Sequence, residues 1–274
     1  MQARLTIEGC EITVDLSRPA DLALELDFGG PQPRHFGAPR ASSRPYETPG
    51  FGFRGSVERG SSCNCQLITL IPHCNGTHTE CAGHLTLERL DAWRVAPAGL
   101  VPAVLLSVAP AAPGNEGSDP APQPGDRLVT CRALERAWPS SVPFVPRAVV
   151  IRTLPNSPEK RARDYTGQTP PYLSQEAAAL LVSRGVLHLV VDLPSIDRVH
   201  DEGRLTAHRV FFGLPRGAVQ LAAATRPAAT ITELAFVPDS IADGAYLLEL
   251  QVPPLSGDAV PSRPLLYAVT GDTP

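Results

Sequence analysis

Between residues 147 and 193 the chain reads as strand, helix and strand in succession, and this run limits the possible folds more than any other feature. Residues 147–153 form a continuous strand of β-branched character. In the next unit Ser174 is placed to cap a helix, Glu176 lies in its first turn and Gly185 stops it. Residues 186–193 then form a second apolar strand. A helix between two such strands implies parallel pairing, because antiparallel neighbours can be joined by a short turn. The loop at 192–202 therefore leaves the carboxyl end of a parallel strand, where α/β sheets place their ligands.

The rest of the chain is punctuated too often for long helices, with 30 prolines and 22 glycines among 274 residues. Residues 3–17 alternate as a hairpin turning at Glu8 and Gly9. Residues 65–73 read as a buried strand, 103–108 as another, and 231–237, 245–255 and 263–269 as three more. Leu128, Cys131, Leu134 and Trp138 have helical spacing. The expectation is one α/β domain over 1–274, a β-rich mixed sheet with flanking helices. An ordered loop region at about 29–60 keeps Phe36, Tyr46, Phe51 and Phe53.

With 24 Lys and Arg against 28 Asp and Glu, the formal net charge is −4, which disfavours nucleic acid or an anionic membrane as partner. A small molecule or another protein suits it better. The most apolar run, 100–110, is broken by proline and too short to cross a bilayer. Glu8 and Glu11 stand where a secretory signal would be apolar, so a cytoplasmic chain with reduced thiols is expected.

Chemistry concentrates in residues 73–84, which read His-Cys-Asn-Gly-Thr-His-Thr-Glu-Cys-Ala-Gly-His and hold three of the seven histidines. In an extended segment Cys74, His78, Glu80 and His84 share one face and His73 points the other way, with Gly76 and Gly83 bending the path at either end. The His78 and Glu80 pair suits zinc or manganese in a mixed nitrogen and oxygen site that keeps a position open. Two other readings compete. Cys63, Cys65, Cys74 and His78 could close a structural zinc site, or Cys74 and Cys81 could serve as redox thiols. His35 is expected at the surface and His188 in the core.

The segment from Asn75 to His84 resembles the His-x-Gly-Thr-His-x-Asp-x-Pro-x-His motif of the "Putative cyclase" family of metal-dependent hydrolases, which includes kynurenine formamidase (arylformamidase) and isatin hydrolase. Weaker blocks come in the family's order: Val14-Asp15-Leu16-Ser17, Val150-Ile151-Arg152-Thr153, Ser183-Arg184-Gly185-Val186 and Val191-Asp192-Leu193-Pro194-Ser195-Ile196-Asp197, then Leu205-Thr206-Ala207-His208 and Ile231-Thr232-Glu233. The resemblance implies a swivelling β/β/α domain. It implies a first metal held by Cys74, His78 and Glu80, a second sharing Glu80 with His208 and Glu233, and His84 as the catalytic histidine, with Glu233 also at the reacting centre. Cys74 stands where the family has histidine, Glu80 where it has aspartate, and the family's proline is missing.

The resemblance further implies one or two zinc or manganese ions and hydrolysis of an amide-like carbon–nitrogen bond in a formamide or cyclic amide. It also implies a homodimer or higher homo-oligomer. A binding protein without turnover on the same fold is the rival reading. Phe36, Tyr46, Phe51, Phe53 and Trp93 are available as a wall for an aromatic substrate, and the extra length at 214–230 as a modifier of the pocket.

Overall fold

The computed structural model describes residues 1–270. Its parallel centre is the expected crossover. Strands β9 (Ala148–Thr153) and β11 (His188–Val191) pair in parallel, with helix α3 (Gln175–Ser183) between them in sequence. The Ser174 side chain accepts from the Ala177 N–H and caps α3, and Gly185 takes φ +74 just past the helix end. Two further parallel neighbours extend this centre: β7 (Val101–Val108) beside β9 and β12 (Thr230–Glu233) beside β11.

Antiparallel strands complete an 11-stranded sheet on both sides. Next to β7 come β13 (Gly244–Gln251) and β15 (Arg263–Thr270), then the hairpin of β2 (Cys10–Asp15) and β1 (Gln2–Ile7); β3 (Ala20–Asp21) also pairs with β15. The hairpin turns at Glu8 and Gly9, both at positive φ, as the sequence predicts. Next to β12 lies β6 (His78–Cys81), and β14 (Ala259–Pro261) covers its other edge. The strand that carries the histidine motif is thus paired on both sides and buried along its whole length.

One face of the sheet packs on α2 (Cys131–Ala137), α3 and α4 (Thr206–Phe212), through Val104, Val149, Ile151 and Leu189 against Leu134, Leu181, Phe211 and Phe212. The opposite face buries Leu105, Val150 and Val190 with Leu22, Leu248 and Leu266. Two expectations need correction. Helical spacing suggested a helix from about 128, but Leu128 and Val129 form a short strand, β8, paired with β10 (Tyr172–Leu173), and the helix starts at Cys131 after the Thr130 cap. Residues 65–73 do not form a buried strand. There β5 (Gln66–Thr69) pairs only with β4 (Ser42–Pro45) in a separate ribbon, so its apolar residues remain exposed. Apolar content alone does not report whether a strand joins the main sheet.

Candidate metal centre

The cross-strand register of β6 and β12 sets His78 opposite Glu233 and Glu80 opposite Ile231, so the motif's two donors share a face with Glu233. Just before β6, Gly76 takes φ +77, and Thr77 ties the turn down. Its hydroxyl donates to the Leu234 carbonyl at 2.6 Å and accepts from the Leu24 N–H at 2.8 Å. After β6 the chain tightens into a single 3-10 turn, Ala82–Leu85, which swings His84 back over Glu80. A side chain at Gly83 would meet the Leu90 carbonyl oxygen at 2.5 Å, so only glycine lets this turn lie flat.

Three groups of donor atoms converge here, each within 4.8 Å: His73, His78 and Glu80; Glu80, His208 and Glu233; and His73, His84 and Asp258. His73 therefore lies with Glu80, not on the opposite face. The alternation that placed it there fails because Pro72–Cys74 is a 3-10 turn, which Asn75 and Gly76 join to β6. His73 Nδ1 lies 3.1 Å from Glu80 Oε2. The Cys74 sulfur joins none of these groups among the described residues, and His73 stands where Cys74 was expected to ligate.

His208 and Glu233, far apart in sequence, meet at this point. Asp197, in the loop after β11, accepts from the Ala207 and His208 N–H groups at 2.8 and 3.0 Å and so caps α4. It also accepts from His208 Nδ1 at 2.7 Å, which turns Nε2 toward Glu80 Oε1 at 2.8 Å and Glu233 Oε1 at 3.5 Å. The Glu233 Oε1 atom accepts from the Ile196 N–H at 2.8 Å. His78 Nδ1 donates to the Gly76 carbonyl, which leaves its Nε2 lone pair 3.4 Å from Glu233 Oε2. Four of the five non-glycine residues at positive φ among the described residues, Phe36, Glu202, Leu205 and Leu234, flank this region.

The donor set fits a divalent cation. Glu80 and Glu233 are only 1% and 3% exposed, and His78 Nε2 and both Glu80 oxygens make no hydrogen bond although nitrogen and oxygen donors crowd around them. Unpaired buried polar atoms are costly, and ligand atoms that face one another across a gap are how proteins surround a cation. The electrostatics agree. Burial opposes ionisation of Glu80, but the fields of His84 and His208 outweigh it and hold the carboxyl well below its usual range. Burial opposes ionisation of Glu233 as well, but the neighbouring His208 and His78 imidazoles outweigh it and hold the carboxyl at about 2. Burial also opposes charge on His208 and His73, yet Glu80 and Asp197 lift the first, and Asp258 and Glu80 lift the second to about 10. Two ionised buried carboxylates call for positive charge, and a metal supplies it more compactly than protons.

A cavity of about 710 Å³ opens above the donors, lined by His73, Glu80, His84, His208 and Glu233 at its base and by residues 194–205 along one wall. Its location at the carboxyl end of β11 is where the crossover predicted a site. Of the aromatic residues proposed as a stacking wall, Phe36 lines this cavity; Tyr46, Phe51, Phe53 and Trp93 do not, and Tyr46 and Phe51 are exposed elsewhere. Residues 214–230 do not line it either. They pack on 87–88 through the Leu87 N–H to Val219 carbonyl bond and the Leu221 N–H to Glu88 bond. His35, expected at the surface, is 2% exposed, lines the cavity and has neither ring nitrogen hydrogen-bonded. His188 is a satisfied core residue, bonded to Thr230 Oγ1 at 2.9 Å.

The cysteine readings do not fit this geometry. Cys63 and Cys65 are exposed near the β4–β5 ribbon, Cys81 donates its thiol to the Leu90 carbonyl, and no cysteine joins a donor group among the described residues. Burial pushes the Cys81 thiol up to about 12, and burial with the Glu233 charge raises that of Cys74, the reverse of what a reactive thiolate needs. Sequence reasoning overlooked Asp258 and Asp197 as partners of the site histidines. Asp197 stood inside a family block without a role, and nothing near Asp258 in sequence signals that β14 carries it to β6.

Solved structures share the architecture. A predicted metal-dependent hydrolase from Bacillus stearothermophilus is 17% identical, with 91% of this chain and 98% of that chain covered and a TM-score of 0.56. Isatin hydrolase A from Labrenzia aggregata, bound to benzyl benzoate, is 16% identical over 91% of this chain and 93% of that one, at a TM-score of 0.59. Isatin hydrolase A from Ralstonia solanacearum is 16% identical over 91% of each chain, at 0.56. At these identities the likeness is one of fold. A comparison with curated proteins found no match. The family model described as "Putative cyclase" matches residues 14–198, more than half of the chain, and this protein belongs to that family.

Proposed function

We propose that this protein is a metal-dependent hydrolase that cleaves an amide-like carbon–nitrogen bond in a formamide or cyclic amide. The observation that carries the reading is the meeting of buried Glu80, which lacks a hydrogen-bond partner, with His73, His208 and Glu233 at the base of a cavity large enough for a small organic molecule, and with the equally unpaired Nε2 of His78 beside it. One or two zinc or manganese ions fit, because the His73–His78–Glu80 and Glu80–His208–Glu233 groups share Glu80. When bound, a divalent ion would polarise the scissile carbonyl and lower the pKa of water.

The remaining work falls to side chains. Glu80 and Glu233 fix the charge at the base, and Asp197 holds His208 in one tautomer by keeping a proton on Nδ1. His84 Nε2, 3.9 Å from Glu80 Oε2, takes the proton from the attacking water and returns it to the leaving nitrogen. Phe36, Val199 and Leu205 give the cavity apolar walls that keep bulk water away from a substrate. The solved relatives named as isatin hydrolases support a cyclic amide as the first compound to try.

Elemental analysis of wild type, His78→Ala, His208→Ala and Cys74→Ala, with hydrolysis of formanilide and isatin, tests the reading. Stoichiometric metal lost in His78→Ala, retained in Cys74→Ala and accompanied by turnover is expected. A metal-bound wild type that turns over neither substrate class would favour a binding protein instead. No described helix is long and apolar enough to cross a membrane. A cytoplasmic homodimer acting on a small molecule completes the proposal, and light scattering reads its subunit number.

A further inference from the structure

We infer that Asp258 is a positioning residue for both His73 and His84, holding one as a ligand and the other as the proton carrier; the inference rests on the hydrolase reading above. The geometry consists of one carboxylate oxygen serving two imidazoles. His73 Nε2 donates to Asp258 Oδ2 at 2.8 Å and His84 Nδ1 donates to the same oxygen at 3.1 Å. The two rings lie 4.2 Å apart at 32°. Each bond fixes a tautomer, because an imidazole that keeps its proton on one nitrogen presents a lone pair at the other. His73 is left with Nδ1 facing Glu80 Oε2, and His84 with Nε2 on the side of Glu80.

The backbone holds Asp258 firmly. Its carbonyl accepts from the Cys81 N–H at 3.1 Å, and the next residue, Ala259, pairs with Glu80 in the β14–β6 ladder. Gly257 before it donates to Asp91 Oδ1 and accepts from the Ala92 N–H. The carboxylate therefore sits on a strand edge registered to the ligand strand, the kind of rigid mounting that orienting groups require. Asp258 lies just before β14 and outside the stretch 14–198 that carries the family match.

In the reaction His84 Nε2 accepts a proton from water as the water oxygen bonds to the carbonyl carbon. It then delivers that proton to the nitrogen as the carbon–nitrogen bond breaks. The Nδ1 proton and the Asp258 negative charge stay where they are throughout, so the carboxylate steadies the transient imidazolium without itself being consumed.

The experiment compares wild type with Asp258→Ala and Asp258→Asn on four readouts: zinc stoichiometry, zinc affinity by chelator competition, ¹⁵N NMR of the histidine ring nitrogens, and kcat and KM for formanilide at saturating zinc. Thermal unfolding checks that each variant folds. Expected for Asp258→Ala are unchanged stoichiometry, zinc binding weaker by about 10- to 100-fold, and His84 signals that no longer report a single Nδ1–H tautomer. The kcat should fall more than about tenfold with KM nearly unchanged, and in a His84→Ala background the substitution should cost no further kcat. Asp258→Asn, which accepts from one ring through Oδ1, falls between. Loss of a whole zinc equivalent would make Asp258 a ligand and overturn the inference, as would unchanged affinity and tautomers. If wild type hydrolyses nothing, the hydrolase reading fails, while zinc affinity and NMR still decide the role of Asp258.

Discussion

Replacing Lys160 with methionine should destabilise the fold far more than an ordinary surface change. Lys160 lies in a short 3-10 turn after β9 and is 7% exposed. Its Nζ donates to the Thr153 carbonyl at 2.6 Å, to Thr153 Oγ1 at 2.9 Å and to Asp192 Oδ2 at 2.8 Å. Asp192 is 2% exposed at the end of β11, and its oxygens also accept from the Thr153 N–H and hydroxyl. Methionine keeps the apolar stem and removes the only cation paired with that carboxylate among the described residues. Breaking a buried pair from one side costs about 3–5 kcal/mol, since the remaining charge stays desolvated. For a chain of this length that is a fall of roughly 10 °C in the unfolding midpoint.

The pH dependence gives a second check. Burial already raises the Asp192 carboxyl above its usual value, against the pull of Lys160. Without the lysine it rises further, so the folded variant binds a proton more readily than its unfolded chain does, and its stability should increase as pH falls from neutral through that raised pKa. Adding Asp192→Asn should recover part of the loss at neutral pH. Urea unfolding from pH 5 to 8 measures all three proteins. A Lys160→Met loss below about 1 kcal/mol, or a deficit that does not narrow on acidification, would refute the reasoning.

Burial holds the His188 imidazole at about 4, below an unfolded value of 6.5, so the unfolded chain takes up the proton first. Stability should therefore be intact above pH 6.5 and fall by about 3 kcal/mol as pH drops toward 4, and urea unfolding of His188→Asn should lack that component. Gly83→Ala forces a carbon against the Leu90 carbonyl oxygen and should cost about 1–3 kcal/mol, with His84 displaced, read as loss of kcat at retained zinc content. Asp197→Ala leaves the Ala207 and His208 N–H groups and His208 Nδ1 without their acceptor and should weaken zinc binding by about 10- to 100-fold in a chelator competition.

The crossover from β9 to β11 was legible because its helix cap, stop and β-branched strands are local signals, and the cavity lies where that topology places ligands. Strands β13 and β15 were legible for the same reason, whereas β12 stops at Glu233, short of the expected 237, and the short β14 carries no such local signal. What could not be read locally was pairing. The apolar run at 65–73 looks like core, yet it pairs with β4 and stays off the main sheet. Within the motif, alternation holds across the extended His78–Cys81 stretch and fails where Pro72–Cys74 coils, which is why His73 and not Cys74 reaches Glu80. Asp258 depends wholly on the register of a strand almost two hundred residues away.

That register also orders events while the chain is being made. The histidine-motif strand β6 is covered on one edge by β14, and β15 fills the slot between the N-terminal hairpin and β13. Until residues 258–270 have emerged, β6 has an open edge and the hairpin has no sheet to join. The donors that share Glu80 can be gathered only once Glu233 is available, and the support that Asp258 gives His73 and His84 comes later still. A chain trimmed before residue 258 would hold the whole motif in sequence and still offer β12 to β6, but would lack Asp258 and the strand that covers the outer edge of β6.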